Sequence, residues 1–414
     1  MSSAQPNRRH LLSALTSFTA LGPLGLARRL QQPSELGRAS DYDLESGLTY
    51  LNHASIGTMP RLVREAFAAH TAQCESNPWL YTWGDAWDAG VARAHAAAAQ
   101  LLACPQSSIA LIRNTTEGFS LLAQGLPLGP QDEVLFSSLN HVGASEGWRF
   151  HAKRRGYQVR TFDFPEAQSA ELSTQDLVDL HIGAISDATR VLVLPHVDNV
   201  FGFRHPIAAI AKAARAKGVR WIAVDAAQSV GMFPFAVADL GADFVATSAH
   251  KWIQAPKGTG ILYAAEQAIP DLSAMVVTWG QRQWQGTAKA FADYGTRDLA
   301  KVLALGDALA FHAKLSGTQA AHQSLRAHIQ ERVANESSLR FRSPARWEDG
   351  AALVAIEVPR AKAGELAKSL FQEHGIVVRG FNGKGRNTLR LSPNLANTRE
   401  QLDTCLAAIL RSLG

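Results

Sequence analysis

Short apolar runs alternate with longer helical patterns through the middle of the chain. Each apolar run is followed by polar residues or a turn, which is typical of buried strands that end at a loop. The predicted strands lie at 109–113, 132–137, 191–195, 220–225, 244–247 and 260–263, with helices at 117–124 and 208–217. This alternation predicts an α/β fold with a doubly wound, mostly parallel sheet.

A second unit is predicted beyond this sheet. Helices are predicted at 61–75 and 88–103 before the sheet, and a long apolar helix at 299–315 after it. The later elements are a helix at 322–337, a strand at 352–358, a helix at 363–374, strands at 376–379 and 388–392, and a final helix. Because 414 residues are too many for one core, we expect a large domain over 41–298 and a smaller C-terminal α/β domain over 299–414, linking helix included.

The composition is that of a soluble globular protein, with 46% hydrophobic and 19% charged residues. A net charge of +5 is small for this length, and no basic run is interleaved with aromatic residues. We therefore expect no nucleic-acid partner. Cys74, Cys104 and Cys405 are far apart, and they indicate neither a disulfide framework nor a metal site.

The first forty residues differ from the rest of the chain. Arg8 and Arg9 precede a moderately apolar stretch that reaches about Leu26, a pattern that resembles a twin-arginine export signal. The stretch is too short and too interrupted for a spanning helix, so no stable membrane association is expected. Export would place the protein in the periplasm. The alternative is a disordered tail on a cytoplasmic protein, since no clean cleavage site follows.

A lysine and an aspartate follow two strands that are predicted to be neighbours. Lys251 comes just after the strand at 244–247, between a histidine and a tryptophan, where its amine would be partly desolvated. A lone lysine is more often a solvated surface residue. Asp225, however, ends a strand 26 residues upstream, which is enough chain for one crossover between parallel neighbours. The pair suits pyridoxal phosphate (PLP), since the lysine would form an imine and the carboxylate would keep the pyridine nitrogen protonated.

Other polar residues also gather at strand ends, where ligands bind in sheets of this kind. Thr115 and Thr116 stand at a predicted helix start, which is either a plain N-cap or an anion site that a phosphate could occupy. His141 and Asn199 follow two further strands. Each of these two is either structural or in contact with a planar cofactor.

Two arginines are candidates for binding a substrate carboxylate. Arg390 lies on an otherwise apolar strand, where a guanidinium needs an anion as partner. Arg379, at the end of the preceding strand, would take the carboxylate instead if Arg390 pairs with an internal acid.

Several short motifs occur in a fixed order from about Tyr50 to the C-terminus. They are Tyr50-Leu-Asn-His-Ala, Asn77-Pro, Arg113-Asn-Thr-Thr-Glu-Gly, Asp225-Ala-Ala-Gln, Ser248-Ala-His-Lys, Gly295-Thr-Arg-Asp and Arg390-Leu-Ser-Pro-Asn-Leu-Ala-Asn-Thr. Together they resemble the class V aminotransferase family of PLP enzymes, which has fold type I, and in particular its isopenicillin N epimerase-like branch.

The resemblance implies a role for each matched residue. Lys251 would be the imine lysine, Asp225 would contact the pyridine nitrogen, and His141 would lie over the ring. The ring hydroxyl would be approached by Asn199 and Gln228. The phosphate would be held by Thr115, Thr116, Ser248 and His250, and by Gly295 and Thr296 from the second subunit of a homodimer. The substrate would be bound by Arg390, Asn52 and His53, with Arg390 on its carboxylate.

The resemblance also implies an enzyme that acts on an amino acid or a related amine, by epimerisation or transamination. A PLP-dependent C–S or other β-lyase is the alternative. Cysteine desulfurases of this family have a catalytic cysteine in the loop before the equivalent of Arg390, and the loop at 380–387 contains none, which disfavours persulfide chemistry. A non-catalytic binding protein with this fold is disfavoured by the intact Lys251–Asp225 pair. An unrelated nucleotide-binding protein is disfavoured by the lack of glycine fingerprints.

Overall fold

A seven-stranded sheet forms the centre of the large domain in the computed structural model, which describes residues 37, 39–383 and 386–414. Its strands are β2 (Ile109–Ile112), β3 (Glu133–Ser137), β4 (Gln158–Phe162), β5 (Thr189–Pro195), β6 (Trp221–Asp225), β7 (Phe244–Ser248) and β8 (Gly260–Ala264). Their order across the sheet is β2-β8-β7-β6-β5-β3-β4. Within it, β8 alone is antiparallel to its neighbours, β2 and β7. The predicted mostly parallel α/β sheet is therefore confirmed.

Helices cover both faces of this sheet, which explains why its central strands are apolar along their whole length. Every residue of β6, β7 and β8 is buried. The helices of this unit are α1 (Arg61–Ser76), α2 (Asp88–Leu102), α3 (Thr115–Gly125), α4 (Val142–Arg155), α5 (Thr174–Gly183), α6 (Ile207–Ala216), the short α7 (Gly280–Gln283) and α8 (Leu299–Lys314). Among the described residues, no helix combines the length and the apolar character needed to cross a bilayer.

The small domain is built on an antiparallel sheet. Its order is β12-β13-β10-β9, with β9 (Arg340–Phe341), β10 (Val354–Glu357), β12 (Arg379–Gly383) and β13 (Arg386–Leu391). The helices α9 (Thr318–Ala334), α10 (Ala363–His374) and α11 (Arg399–Leu413) complete the unit. The single strand predicted at 376–379 is instead divided: residues 376–377 pair outside this sheet, and β12 begins at Arg379 and runs through the predicted connection as one arm of a hairpin with β13.

Two elements pack across the domain boundary that the sequence predicts. The short strand β1 (Thr49–Tyr50) pairs in parallel with β11 (Ile376–Val377), and Leu51 is buried in the small-domain core. The linking helix α8, assigned to the small domain from sequence, buries Leu305 and Leu309 in the large-domain core. Hydrophobicity alone shows that these elements are buried, but it does not show against which partner.

Two smaller apolar clusters join the domains. One contains Ala54, Phe233, Trp252 and Leu353, and the other brings Phe381 of β12 against residues that include Val200 and Phe203. One face of the small sheet is therefore packed against the strand ends of the large one. This arrangement places β12 and β13 beside the residues that follow β5, β6 and β7.

Candidate active site

Asp225 and Lys251 lie at the carboxyl ends of adjacent parallel strands, as the spacing predicts. Asp225 is the last residue of β6, it is paired in register with Ala246 of β7, and it is buried. Its Oδ1 accepts a hydrogen bond from the Ala227 N–H at 2.9 Å. Lys251 follows β7 by three residues, in a tight turn in which its N–H donates to the Ser248 carbonyl. The sheet therefore directs an acid and an amine to one edge.

The amine of Lys251 has an unusual electrostatic environment. Burial lowers its pKa to about 8, Asp225 opposes that change, and Arg390 adds to it. Both groups act on the amine, so the small-domain arginine and the large-domain lysine share one site. A lysine with a pKa near neutrality has a substantial neutral fraction, which is the form that attacks a carbonyl carbon.

His141 belongs to the same site. It caps α4, where its Nδ1 accepts a hydrogen bond from the Gly143 N–H at 3.1 Å, and much of its ring surface is open. Desolvation lowers its pKa, Lys251 and Arg390 lower it further, and Asp225 opposes them. A side chain that lines a cleft is expected to have an accessible ring and yet to be surrounded by protein atoms that partly desolvate it. A planar ligand could cover it.

An anion cradle lies at the start of α3. The Thr115 N–H donates to Ser248 Oγ at 3.1 Å, and the two hydroxyl oxygens are 2.8 Å apart. Thr116 is exposed at the first turn of this eleven-residue helix, whose N–H groups favour a negative charge. The Nδ1 of His250, two residues after Ser248, is buried without a partner in the described chain. Burial, and next Lys251, lowers the pKa of His250 to about 4.

Arg390 is buried and is held by neutral groups. It donates to the Asn199 carbonyl at 2.8 Å, to Asn52 Oδ1 at 2.9 Å and to Ser55 Oγ at 2.7 Å. Its Nε has no hydrogen-bond partner in the described chain. Burial, followed by the charge of Arg379, lowers the pKa of Arg390 to about 9, while Asp198 opposes this. Neutral contacts fix the guanidinium but leave its charge available for an anion.

The loop after β1 connects Arg390 to Lys251. Asn52 and Ser55 contact the guanidinium, and two residues after Ser55 the Gly57 N–H donates to the His250 carbonyl at 2.8 Å. A Cβ at Gly57 would lie 2.0 Å from the carbonyl oxygen of Lys251, so a larger residue cannot approach this closely. The loop therefore ties Arg390 to the turn that carries Lys251.

Several residues that the resemblance implies in binding make other contacts here. His53 is buried, with Nδ1 3.2 Å from the Ser392 carbonyl and Nε2 3.2 Å from Thr58 Oγ1, and burial lowers its pKa to about 3. Gln228 donates to the Ala54 carbonyl and accepts from Trp252 Nε1, each at 2.9 Å. Their roles toward the substrate and the ring hydroxyl stay predictions.

For three further predicted residues, the contacts within one subunit do not identify a ligand. Asn199 holds Arg390 through its backbone carbonyl, which leaves its side chain for a second partner. Gly295 and Thr296 are exposed, and the Gly295 N–H donates to Asp293 Oδ1 at 3.2 Å. The proposed contact of these two with a second subunit also stays a prediction.

Two residues of the site were not found from sequence. Asp198 is fully buried, and its carboxylate accepts hydrogen bonds from the N–H groups of Val200, Phe201 and Phe203 at 2.7–2.8 Å. It therefore shapes the turn that presents Asn199. The sequence signal for Asp198 was its position next to Asn199 and before a glycine turn. Ser55 gave none, because a serine in a polar turn is common.

The comparisons with known proteins agree with this geometry. A family model described as aminotransferase class-V matches residues 49–405. The chain belongs to the aminotransferase class-V family. It is 26% identical over 383 residues to an isopenicillin N epimerase from Streptomyces clavuligerus, covering 88% of this chain and 95% of that protein. It is 26% identical over 390 residues to a cysteine desulfurase from Haloferax volcanii, covering 87% and 88%.

Two solved structures share the fold. The cystine C-S lyase C-DES, in complex with cysteine persulfide, superposes with a TM-score of 0.79 at 21% identity and covers 88% of this chain and 97% of its own. The cysteine desulfurase CsdA from Escherichia coli gives a TM-score of 0.75 at 25% identity, with 92% and 98% covered. The predictions of family, of fold type I, of an enzyme and of PLP as its cofactor are thereby confirmed.

The residues of this class V enzyme fit the cofactor. The unpartnered Nδ1 of His250, the Thr116 hydroxyl and the α3 N-terminus would hold a phosphate. The open His141 ring would cover one face of the pyridine, and the Asp225 carboxylate would accept a hydrogen bond from its protonated nitrogen. Lys251 Nζ would bind the aldehyde carbon. Among the described residues, no cluster of histidine, cysteine or acidic side chains could hold a metal ion.

Proposed function

We propose that this protein acts on the α-amino group of an amino acid, by epimerisation or transamination, with PLP bound at Lys251. The observation that supports this most strongly is the convergence of three groups from three elements: Asp225 and Lys251 follow adjacent parallel strands, and the loop after β1 ties the Arg390 guanidinium to the turn that carries Lys251. Amine, acid and guanidinium are the groups needed to exchange an imine, protonate a pyridine and bind a carboxylate. When bound, PLP supplies an acceptor for the electron pair left at Cα after a bond to it breaks.

The chain's own residues account for the remaining requirements. Arg390 orients the substrate so that its α-carbon lies near Lys251, because the loop after β1 fixes one residue relative to the other. The Lys251 amine, when it is free, would hold or deliver a proton at Nζ. Asp225, buried at the end of β6, keeps the ring nitrogen protonated. These roles are shared by epimerases, transaminases and lyases.

The lack of a cysteine in the segment 380–387 argues against persulfide chemistry. The three cysteines lie in α1, just after α2 and in α11. Burial raises the pKa of Cys104 to about 11 and that of Cys405 to about 12. A sulfur acceptor needs an accessible thiolate, and the Cys104 and Cys405 thiols stay protonated at neutral pH. A β-lyase that releases its sulfur or other leaving group to water remains the second candidate, since C-DES, a C-S lyase, shares the fold.

A panel of D- and L-amino acids, with and without an oxo-acid acceptor, tests the reaction class. Epimerisation would invert the substrate without an acceptor, transamination would require one, and a lyase would release ammonia. We expect inversion or acceptor-dependent turnover. Ammonia release alone would favour the lyase, and no reaction with any amino acid would contradict the proposal.

The role of Arg390 is tested by Arg390→Lys. A hydrogen bond to a charged group contributes roughly 1.5–3 kcal/mol, which corresponds to about 10- to 150-fold in affinity. We expect amino acids to bind weaker by about this factor, because lysine lacks the planar fork that matches a carboxylate. Amines without a carboxylate are the control and should bind as they do to the parent. An equal loss for both would make Arg390 structural.

A homodimer is part of this proposal. Trp79 and Trp83 stack on each other with 76% and 70% of their surfaces exposed, and Val277 and Trp279 are 74% and 64% exposed. Exposed apolar groups of this size are typical of subunit contacts. The dimer would bring Gly295 and Thr296 to the partner's phosphate. Sedimentation of the PLP-loaded protein should give twice the chain mass, and a monomer would contradict this.

Export to the periplasm is proposed from the sequence alone, and Arg8 and Arg9 lie outside the described residues. Changing both arginines to lysine should leave the precursor in the cytoplasm if the pair is read as a signal. Identical fractionation of the variant and the parent would favour a cytoplasmic protein with a disordered tail.

A further inference from the structure

Two arginines face each other at the edge of the small-domain sheet. Arg379 of β12 is the direct cross-strand partner of Arg390 of β13. Like charges at directly opposed positions destabilise a sheet, so a pair of this kind needs a compensating reason. Arg390 is buried at the substrate site, whereas Arg379 is exposed beside it.

Another arginine of the small-domain sheet has an acid as partner, but these two do not. Arg386 alternates with Arg390 along β13 and so shares its face, and it forms a two-pronged ion pair with Glu166, with both N···O distances at 2.5 Å. Among the described residues, no carboxylate lies within ion-pair distance of Arg379 or Arg390. The positive charge of this pair is therefore left for a group from outside the chain.

Phe381 sets the spacing of the two guanidinium groups. The central carbon of Arg390 lies 5.5 Å from the ring centroid, and that of Arg379 lies 5.7 Å from it. The two carbons are thus at most about 11 Å apart, the sum of those distances. Because a carboxylate contacts a guanidinium within ~4 Å, one small molecule with two anionic groups can reach both.

We propose that Arg379 binds a second anionic group of the substrate while Arg390 binds its α-carboxylate. This assigns the substrate to the amino acids with an anionic side chain: dicarboxylic amino acids or their sulfinate, sulfonate and phosphonate analogues. The assignment of the α-carboxylate rests on the proposed function. The second site rests on the unpaired arginines themselves. A dianion would neutralise the opposed charges, which a neutral side chain cannot do.

The experiment compares glutarate with glutaramate, which has an amide in place of one carboxylate, by calorimetry on the PLP-loaded protein. Neither compound has an amine that can react. We expect glutarate to bind about 5- to 50-fold more tightly than glutaramate. This range lies between the contribution of an exposed ion pair and that of a charge-assisted hydrogen bond. Arg379→Gln should abolish this preference.

Arg340→Gln is the matched control. Arg340 is exposed on β9, at the opposite edge of the same sheet, so the variant makes the same charge change away from the site. It should keep the preference for glutarate. If the parent binds both compounds equally, or if the preference survives Arg379→Gln, the proposal is wrong.

A second arm separates this inference from the proposed function. Glutamate and glutamine are added to the same proteins, and the absorbance change of the bound cofactor is titrated. A preference for glutamate that is lost in Arg379→Gln supports both ideas. If neither amino acid reacts while the glutarate preference persists, the proposed function fails and the second anion site stands.

Discussion

The pH dependence of cofactor capture by Lys251 is a direct consequence of the site's electrostatics. The amine must be neutral to attack the aldehyde of PLP, and its pKa is lowered to about 8 by burial and by Arg390, against the effect of Asp225. The rate of capture by the cofactor-free protein should therefore rise with pH and level off above about 8.

The size of the effect follows from the two pKa values. At pH 7.5, an amine with a pKa of about 8 is roughly one-quarter neutral, whereas one at the ordinary value of 10.5 is roughly 0.1% neutral. The site therefore provides about 200-fold more reactive amine than a solvated lysine. Removing the positive charge by Arg390→Gln should raise the Lys251 pKa, and removing the negative charge by Asp225→Asn should lower it.

The assay follows the absorbance of the lysine-bound cofactor after PLP is mixed with cofactor-free protein between pH 6 and 10. Nα-acetyl-lysine, followed under the same conditions, corrects for the ionisation of PLP itself. An apparent pKa near 10 in the parent would refute the reasoning. So would a downward shift in Arg390→Gln, because it would mean that the arginine does not act on the amine.

Three further predictions concern neighbouring groups. Asp225→Ala should slow turnover by about 10²–10⁴-fold at saturating PLP, as expected when a positioned proton-transfer group is lost, and unchanged turnover would mean that another group protonates the ring. Asp198→Asn should lower the free energy of unfolding by about 1–3 kcal/mol, because its amide cannot accept from the Phe203 N–H; an unchanged urea midpoint would contradict this. Burial holds the pKa of His181 at about 4 and that of His196 at about 3, so the unfolded chain binds more protons below pH 6.5. Thermal midpoints should therefore fall as the pH drops from about 6.5 toward 4, and a flat profile over this range would contradict this.

The positions of Lys251 and Asp225 could be predicted because they follow from local rules. Each stands at the end of an apolar run, and parallel strands bring such ends to one edge of a sheet. The short distance between them in the chain then limits the possible connections. Thr115 and Ser248 follow the same logic, since one starts a helix and the other ends a strand.

The partners of Arg390 could not be predicted in this way. Asn52 and Ser55 are more than 330 residues away in the chain, and they reach the guanidinium only because β1 pairs with β11 and fixes the loop that follows. A two-residue strand has no periodicity to detect. The position of Arg379 opposite Arg390 also depends on the register of the β12–β13 hairpin. A shift of that register by one residue would move the Arg379 side chain to the other face of the sheet.

The most direct test of the account is to locate the lysine that binds the cofactor. The PLP-loaded protein is reduced with borohydride, digested and mapped by mass spectrometry, with Lys251→Ala as the control. We predict a single fixed adduct on Lys251, which the variant lacks. An adduct on Lys257, the exposed lysine six residues on, or no adduct in the parent, would contradict the central claim.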